Sequence, residues 1–472
     1  MNRHLQILPL AVSLAIGTLS ANAATDDDTI RMLEQQLEQQ RIMLEQQQQA
    51  LEMMQKELQQ LKTGQTEQTE QVVTAQQHTQ PKELETATVI EIEKEEGGLD
   101  FDIYGFVMAD AIYDFKRVDP DWNDTLRVST IPTQDGQYGQ DGEFVYSVRQ
   151  SRLGFKADYD TPMGKVGALL EAELFGVGGD AGQTTPRLRH AWATLNNFGM
   201  GQTWSNFMDA DVFPNTIDYW GPTGMVFYRN QQMRYTFPME NNEFSVALEN
   251  PDTALTVGKF RDQCTEIPDD DSCDAVLDDV IKKHNEIPDL TLRYRSNNDW
   301  GHWQLAGIAR ELGYERLDTG KKDSEFGWGL NASTVINTFG QDKLKLQLVY
   351  GEGIGNYMND GGVDLAPANN RRVGNTAEAV PILGVVAYYD HYWSDQWSSS
   401  VGWSSIKLDT TKGQAGSEFE EGQIAQVNLL HYPMDGVMIG GELLWGERVD
   451  VSGDDGYDVR AQLSLKVNFP RN

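Results

Sequence analysis

The chain is short of cysteine, of positive charge and of long apolar runs, and each shortage removes a class of protein. Only two cysteines occur in 472 residues, Cys264 and Cys273, too few for a disulfide-built scaffold. With no histidine beside them at ligand spacing they are also a poor metal site. Lys and Arg number 38 against 72 Asp and Glu, a formal net charge of -34, which excludes a general nucleic-acid binder because that needs a basic footprint. Beyond residue 23 no apolar run approaches the ~20 residues that a membrane-spanning helix requires. His190, His302, His391 and His431 are scattered over strand-like segments with no Ser or Asp motif around them, so they read as wall residues and not as catalysts. No enzyme, cofactor or metal centre is expected.

What is present begins with an export signal. Residues 1–23 carry Arg3 and His4, an apolar stretch from Leu5 to Ile16 and the small-residue pattern Ala21-Asn22-Ala23, the grammar of a cleaved signal peptide. Export means an oxidising compartment, so Cys264 and Cys273, close together in the acidic segment CTEIPDDDSC, point to a local disulfide worth ~2–3 kcal/mol. Within residues 24–62, Ile30, Leu37, Leu44, Leu51 and Leu58 recur every seventh residue, with Leu33, Gln40, Gln47, Met54 and Leu61 between them. That seam predicts an α-helical coiled coil between copies of the chain, with the glutamines fixing register. Residues 63–98 turn to Gln, Thr, Glu and Lys and read as a polar linker.

From Leu99 onward the period is two. Phe101, Ile103, Val107, Ala109, Ala111 and Tyr113 oppose Asp102, Tyr104, Met108, Asp110 and Asp114. Later, Tyr457, Val459, Ala461, Leu463, Leu465, Val467 and Phe469 alternate with Asp458, Arg460, Gln462, Ser464, Lys466 and Asn468. Strands with one apolar and one polar face suit a wall between lipid and water, which must close because hydrocarbon satisfies no free backbone N–H or C=O. A mean hydropathy of -0.51 does not oppose this, since every second strand residue faces the lumen. Seven short turns, from Thr161-Pro162-Met163-Gly164 to Pro433-Met434-Asp435-Gly436, separate longer Gly/Asp/Asn-rich stretches. With the two terminal strands they predict an all-β transmembrane barrel of about sixteen antiparallel strands over 99–472, its short turns periplasmic. Tyr159, Trp300, Phe339, Trp393, Trp397 and Phe469 lie near those turns and supply an interfacial girdle.

Strand parity then assigns the lumen. Leu153, Phe155, Ala157 and Tyr159 outward put Arg152 and Lys156 inward; Leu188 and Trp192 outward put Arg187 and Arg189 inward. Met233, Tyr235 and Phe237 outward put Arg234 inward, and Leu290, Leu292 and Tyr294 outward put Arg293 and Arg295 inward. Arg310, Lys343, Lys345, Arg460 and Lys466 follow the same rule. Cations facing a wet lumen lower the energy of an anion in transit, and guanidinium groups grip carboxylates bidentately. The plainer reading is solvated wall charge balanced by Glu171, Glu173 and Glu442. Segment 207–226, FMDADVFPNTIDYWGPTGMV, is the best candidate for a loop folded into the pore, with Asp209, Asp211 and Asp218 set against the arginine wall. The acidic clusters at 268–271 and 453–456 lack a complete oxygen-ligand spacing and read as solvated loop acids.

The segments FDIYGFVMADAIYDF (101–115), VRQSRLGFKADYDTPMG (148–164), RLRHAWATLNNFGMGQTWSNFMD (187–209) and RNQQMRYTF (229–237), together with the coiled coil, resemble the DcaP-like outer-membrane porins over nearly the whole mature chain. The resemblance implies a sixteen-stranded barrel in the outer membrane of a Gram-negative bacterium and a homotrimer whose N-terminal helices coil together in the periplasm. It also implies uptake of small, often carboxylate-bearing solutes, dicarboxylates included. The chain departs from the pattern at its end, where Phe469 is followed by Pro470-Arg471-Asn472. Expected partners are further copies of the chain, outer-membrane lipid and lipopolysaccharide, and small anionic solutes. The competing reading is structural: the coiled coil contacts the periplasmic wall and the barrel only anchors it.

Overall fold

The computed structural model describes residues 99–258, 281–316, 320–368 and 377–469. The signal peptide, the coiled-coil segment, the linker, Cys264 and Cys273 lie outside the described residues.

In chain order the strands are β1 (Asp100–Asp114), β2 (Glu143–Ser147), β3 (Arg152–Thr161), β4 (Gly164–Glu173), β5 (Arg187–Leu195), β6 (Phe198–Trp204), β7 (Arg229–Pro238), β8 (Asn242–Glu249), β9 (Ile281–Lys283) and β10 (Asp289–Asn298). They continue as β11 (Gly301–Arg316), β12 (Lys321–Asn337), β13 (Lys343–Glu352), β14 (Leu365–Pro367), β15 (Ala377–Ala379), β16 (Pro381–Ser394), β17 (Trp397–Leu408), β18 (Phe419–Met434), β19 (Val437–Asp450) and β20 (Asp455–Phe469). Successive wall strands pair antiparallel, and β1 closes the sheet, Val107 standing opposite Val467 of β20 and Ile103 opposite Phe155 of β3. β2 prolongs the line of β3 and β9 that of β10, so the eighteen strands of the sheet make sixteen staves; β14 and β15 form a separate ribbon. Closure leaves no backbone edge for lipid to meet.

Alternation sets the two faces. On β20, Leu463, Leu465 and Val467 are 60%, 45% and 40% exposed, while Arg460, Gln462 and Ser464 between them are at most 3% exposed. Hydrocarbon accepts the first set and the interior the second. The short turns gather at one end, and Tyr159, Trp300, Phe339, Trp393 and Trp397 are exposed beside them.

The inner face is less uniformly polar than the alternation predicts. On β11 to β17 the inward positions Ala306, Ile308, Val335, Val349, Ile382, Val386, Tyr388 and Ile406 are apolar and buried, and they pack against Phe207, Met208, Val212, Met225 and Val226 and against Ile354, Tyr357 and Met358. Two long loops therefore fold into the barrel and dry half of it. A third, 115–142, lays Val118, Leu126, Val128 and Ile131 on Ile424 and Leu444. The remaining lumen is lined on one side by β1, β3, β5 and β6, and Lys343 and Lys345 of β13 and Asp390 of β16 also border it.

Candidate functional site

The lumen wall on that side is a charge cluster built across adjacent strands. Arg152 on β3 stands opposite Glu173 on β4, and Glu173 opposite Arg187 on β5, so unlike charges share one face. Arg189 is the tightest member, 2.6 Å from the Glu171 carboxylate and 2.7 Å from that of Glu173. Arg152 stands off at 3.5 and 3.8 Å from the same two groups. Arg187 donates to Glu173 and to Tyr219, and a fourth guanidinium, Arg229 at the start of β7, lies 3.6 Å from Glu173. Four guanidinium groups against two carboxylates leave a formal excess of two positive charges. Breaking such a buried pair by removing one partner costs roughly 3–5 kcal/mol, so the carboxylates hold the arginines in place without cancelling them.

Three placements, those of His190, Trp192 and Arg229, differ from strand parity, and all trace to β5. The register between β4 and β5 shifts so that Glu171 faces His190 while Ala172 faces Leu188. This bulge turns both Arg189 and His190 inward, and everything after it changes side. Trp192, expected outward, faces the lumen, where the Arg234 guanidinium stacks 5.0 Å from its ring. The β5–β6 ladder stops at Ala191 opposite Gln202, although β6 continues to pair with β7 as far as Trp204 opposite Arg229. Arg229 has the parity of the outward residues Gln231 and Met233, yet it reaches Glu173 because β5 no longer pairs with β6 at that level. No period-two reading of the sequence could have found it.

Segment 207–226 lies inside the barrel and is tied to the wall along its length. Asp209 accepts from His302 at 2.8 Å and Ser333 at 2.6 Å, Glu442 accepts from the backbone N–H groups of Ile217 and Asp218 at 2.9 and 3.2 Å, and Gly224 N–H donates to Ser404 at 2.9 Å. Of the three aspartates expected to face the arginines, Asp211 pairs with Arg295 near the lumen, while Asp209 and Asp218 are buried anchors, Asp209 also 3.4 Å from Arg295. The Asp218 carboxylate accepts from Thr125 and from Leu126 N–H, each at 3.0 Å, and lies 3.4 Å from Arg460. Arg293 pairs with Glu243. Arg310 and Arg460, inward as expected, are fully buried structural pins: Arg310 holds Asp289 and Asp364, and Arg460 grips Asp114.

Between the segment and the wall is a cavity of about 200 Å³, with Arg152, Arg189, Lys343, Lys345 and Lys466 among its lining residues and Asp211, Asp218 and Asp390 as the acids. Phe106, which the sequence reading did not single out, stands between two cations, 5.2 Å from the Arg152 guanidinium and 4.1 Å from the Lys466 ammonium. Its inward parity on β1 was the available signal. The arrangement is one of electrostatic attraction in a narrow passage.

The closed barrel, its inserted segment and its girdle define an outer-membrane β-barrel. The chain belongs to the DcaP outer membrane protein family, whose model matches residues 19–257. Among solved structures it is similar to the outer membrane channel DcaP of Acinetobacter baumannii, with 23% identity over 80% of this chain and 100% of that one and a TM-score of 0.65. It is also similar to an anion-selective porin from Comamonas acidovorans, with 10% identity over 79% and 100% of the two chains and a TM-score of 0.51. No curated protein matches.

Proposed function

We propose that the chain is an outer-membrane porin for passive uptake of small polar solutes, with a preference for anionic compounds, carboxylates and dicarboxylates among them. The observation that carries the reading is the excess of cations around the narrowed lumen. Five basic residues line the cavity against three acids, of which Asp218 is engaged by Arg460 and Asp390 by Lys345 at 3.3 Å. Acidic loops outside do not cancel this, because salt at physiological strength screens beyond about 8 Å. The name of the solved Comamonas channel, an anion-selective porin of the same fold, is consistent with the reading.

The functional unit in this reading is a homotrimer with the N-terminal helices coiled together in the periplasm. The resemblance supports it, and so does the outer face of β4 and β5, where Ala168, Ala172, Ala191 and Ala193 leave room for close approach of a second wall. Bilayer recordings in asymmetric potassium chloride test the selectivity. Wild-type protein is expected to show an anion-selective reversal potential, and Arg152→Gln with Lys466→Gln to move it toward the cation side. Arg152 is the apt target because its looser ion pairs make its loss less costly to the fold. A cation-selective wild type would end the proposal.

A further inference from the structure

Where segment 207–226 leaves β6, Asp209 and Asp211 stand beside His302 of β11, and one ligating atom from each lies within 4.8 Å of the other two. Among the described residues no other three His, Cys, Asp or Glu side chains gather so closely. The surroundings hold two of the three in place. Asp209 meets His302 Nε2 at 2.8 Å and accepts from the Ser333 hydroxyl at 2.6 Å, the second contact being of the kind that orients a metal ligand from behind. Asp211 N–H donates to the other Asp209 oxygen at 3.2 Å, a turn that returns the second carboxylate to the first. Asp209 and His302 are buried, whereas the Asp211 side chain is 38% exposed and lines the cavity between the segment and the wall. One cation is already present, since Arg295 pairs with Asp211 and lies 3.4 Å from Asp209. A single guanidinium against two carboxylates leaves one negative charge, which the imidazole can answer with a proton or with a metal ion.

We infer that Asp209, Asp211 and His302 bind a divalent transition-metal ion of the zinc type, admitted from the cavity. One imidazole nitrogen with two carboxylate oxygens suits zinc and disfavours calcium and magnesium, whose shells are all oxygen. Bonds of about 2.0–2.2 Å hold tetrahedral ligands about 3.4 Å apart. Asp209 and His302 already stand closer than that, so the exposed Asp211 is the member that closes in, and in doing so it leaves Arg295. Three protein ligands leave a fourth position for water from the cavity. Binding adds positive charge at the edge of the passage: two units where His302 is neutral beforehand and its Nε2 proton moves to Nδ1, one where it first sheds a proton. The sequence gave no sign of the group, because His302 lies far along the chain from the two aspartates and its strand shows only which way it faces.

The test is zinc titration of the purified wild-type protein in detergent, by calorimetry after treatment with a chelator, beside His302→Gln and Asp211→Asn. Glutamine keeps a donor for Asp209, and asparagine is a neutral isostere at a half-exposed position, so either variant serves should the other fail to fold. Wild type is expected to take up one equivalent that calcium and magnesium at the same concentration do not displace. Each variant is expected to raise the dissociation constant by more than about tenfold, the weight of even an outer partner of a metal ligand. In planar bilayers, zinc is expected to move the wild-type reversal potential toward the anion side and to leave that of the variants in place. Equal uptake by wild type and the folded variants, displacement by calcium, or a wild-type reversal potential that zinc does not move would each overturn the site. The shift is measured from the wild type's own value, so a cation-selective wild type ends the anion reading and leaves this one standing.

Discussion

Where segment 207–226 runs onto the far wall, a Cβ at Gly224 would lie 2.0 Å from the Ser405 carbonyl oxygen and 2.9 Å from Val385 N, both of them backbone. Backbone in a paired sheet cannot yield, so the segment itself must move, and it moves toward the lumen. Gly224→Ala is therefore expected to lower single-channel conductance without lowering the amount of folded barrel; unchanged conductance would show that the contact does not set the width. Arg460 poses a different case, since it is fully buried and grips Asp114 at 2.6 and 2.8 Å while also bonding the Asn123 carbonyl at 2.9 Å. Arg460→Met strips one cation from a nest of acids, and the expected loss is about 3–5 kcal/mol. Urea titration of the protein in lipid vesicles measures it, and a midpoint equal to wild type would refute the assignment as a pin.

At the scale of the strand, one face is priced by lipid and the other by whatever the loops bring. Leu443 is 56% exposed on the outer face of β19; Leu443→Arg places a charge against hydrocarbon and is expected to cost about 2–4 kcal/mol near the midplane by the same titration. The alternation that makes this prediction was plain in the sequence, as were the short turns, because both are local: a side chain's face follows from its neighbour's, and a tight turn from its own residues. The bulge in β5 was not, since it is a property of the register with β4, and missing it reversed Trp192 while Arg187 and Arg189 still face inward. The apolar inner residues, such as Ile308 and Val386, were opaque for a related reason. Period two says which side a residue faces but not what lies there, and their partners come from the loops after β6 and β13, remote from them in sequence. Segment 207–226 was legible as an inserted loop through its Pro, Trp and Tyr content, but the division of its aspartates between anchors and lumen required the opposing wall.

For the whole molecule the open matter is association. If the alanine face of β4 and β5 meets another barrel, Ala193→Arg is expected to reduce the particle mass in detergent, by light scattering, from three copies to one; a mass that stays threefold would place the contact elsewhere. Deleting residues 24–98 separates the channel reading from the tether reading: solute flux per barrel is expected to persist, whereas a pure tether would lose envelope integrity with no flux to lose.

The seat of loop 115–142 on β18 and β19 has a bearing on how the envelope is built. Val118 and Val128 can settle on Ile424 and Leu444 only after β20 has come back to β1, about the slowest kind of encounter a chain makes. For that interval the newborn cylinder lacks this plug and is expected to be wider than the finished one. A cell inserting it would suffer a brief leak that heals as the plugs seat, so vesicles receiving urea-denatured protein should release a trapped dye too large for the mature passage, then reseal.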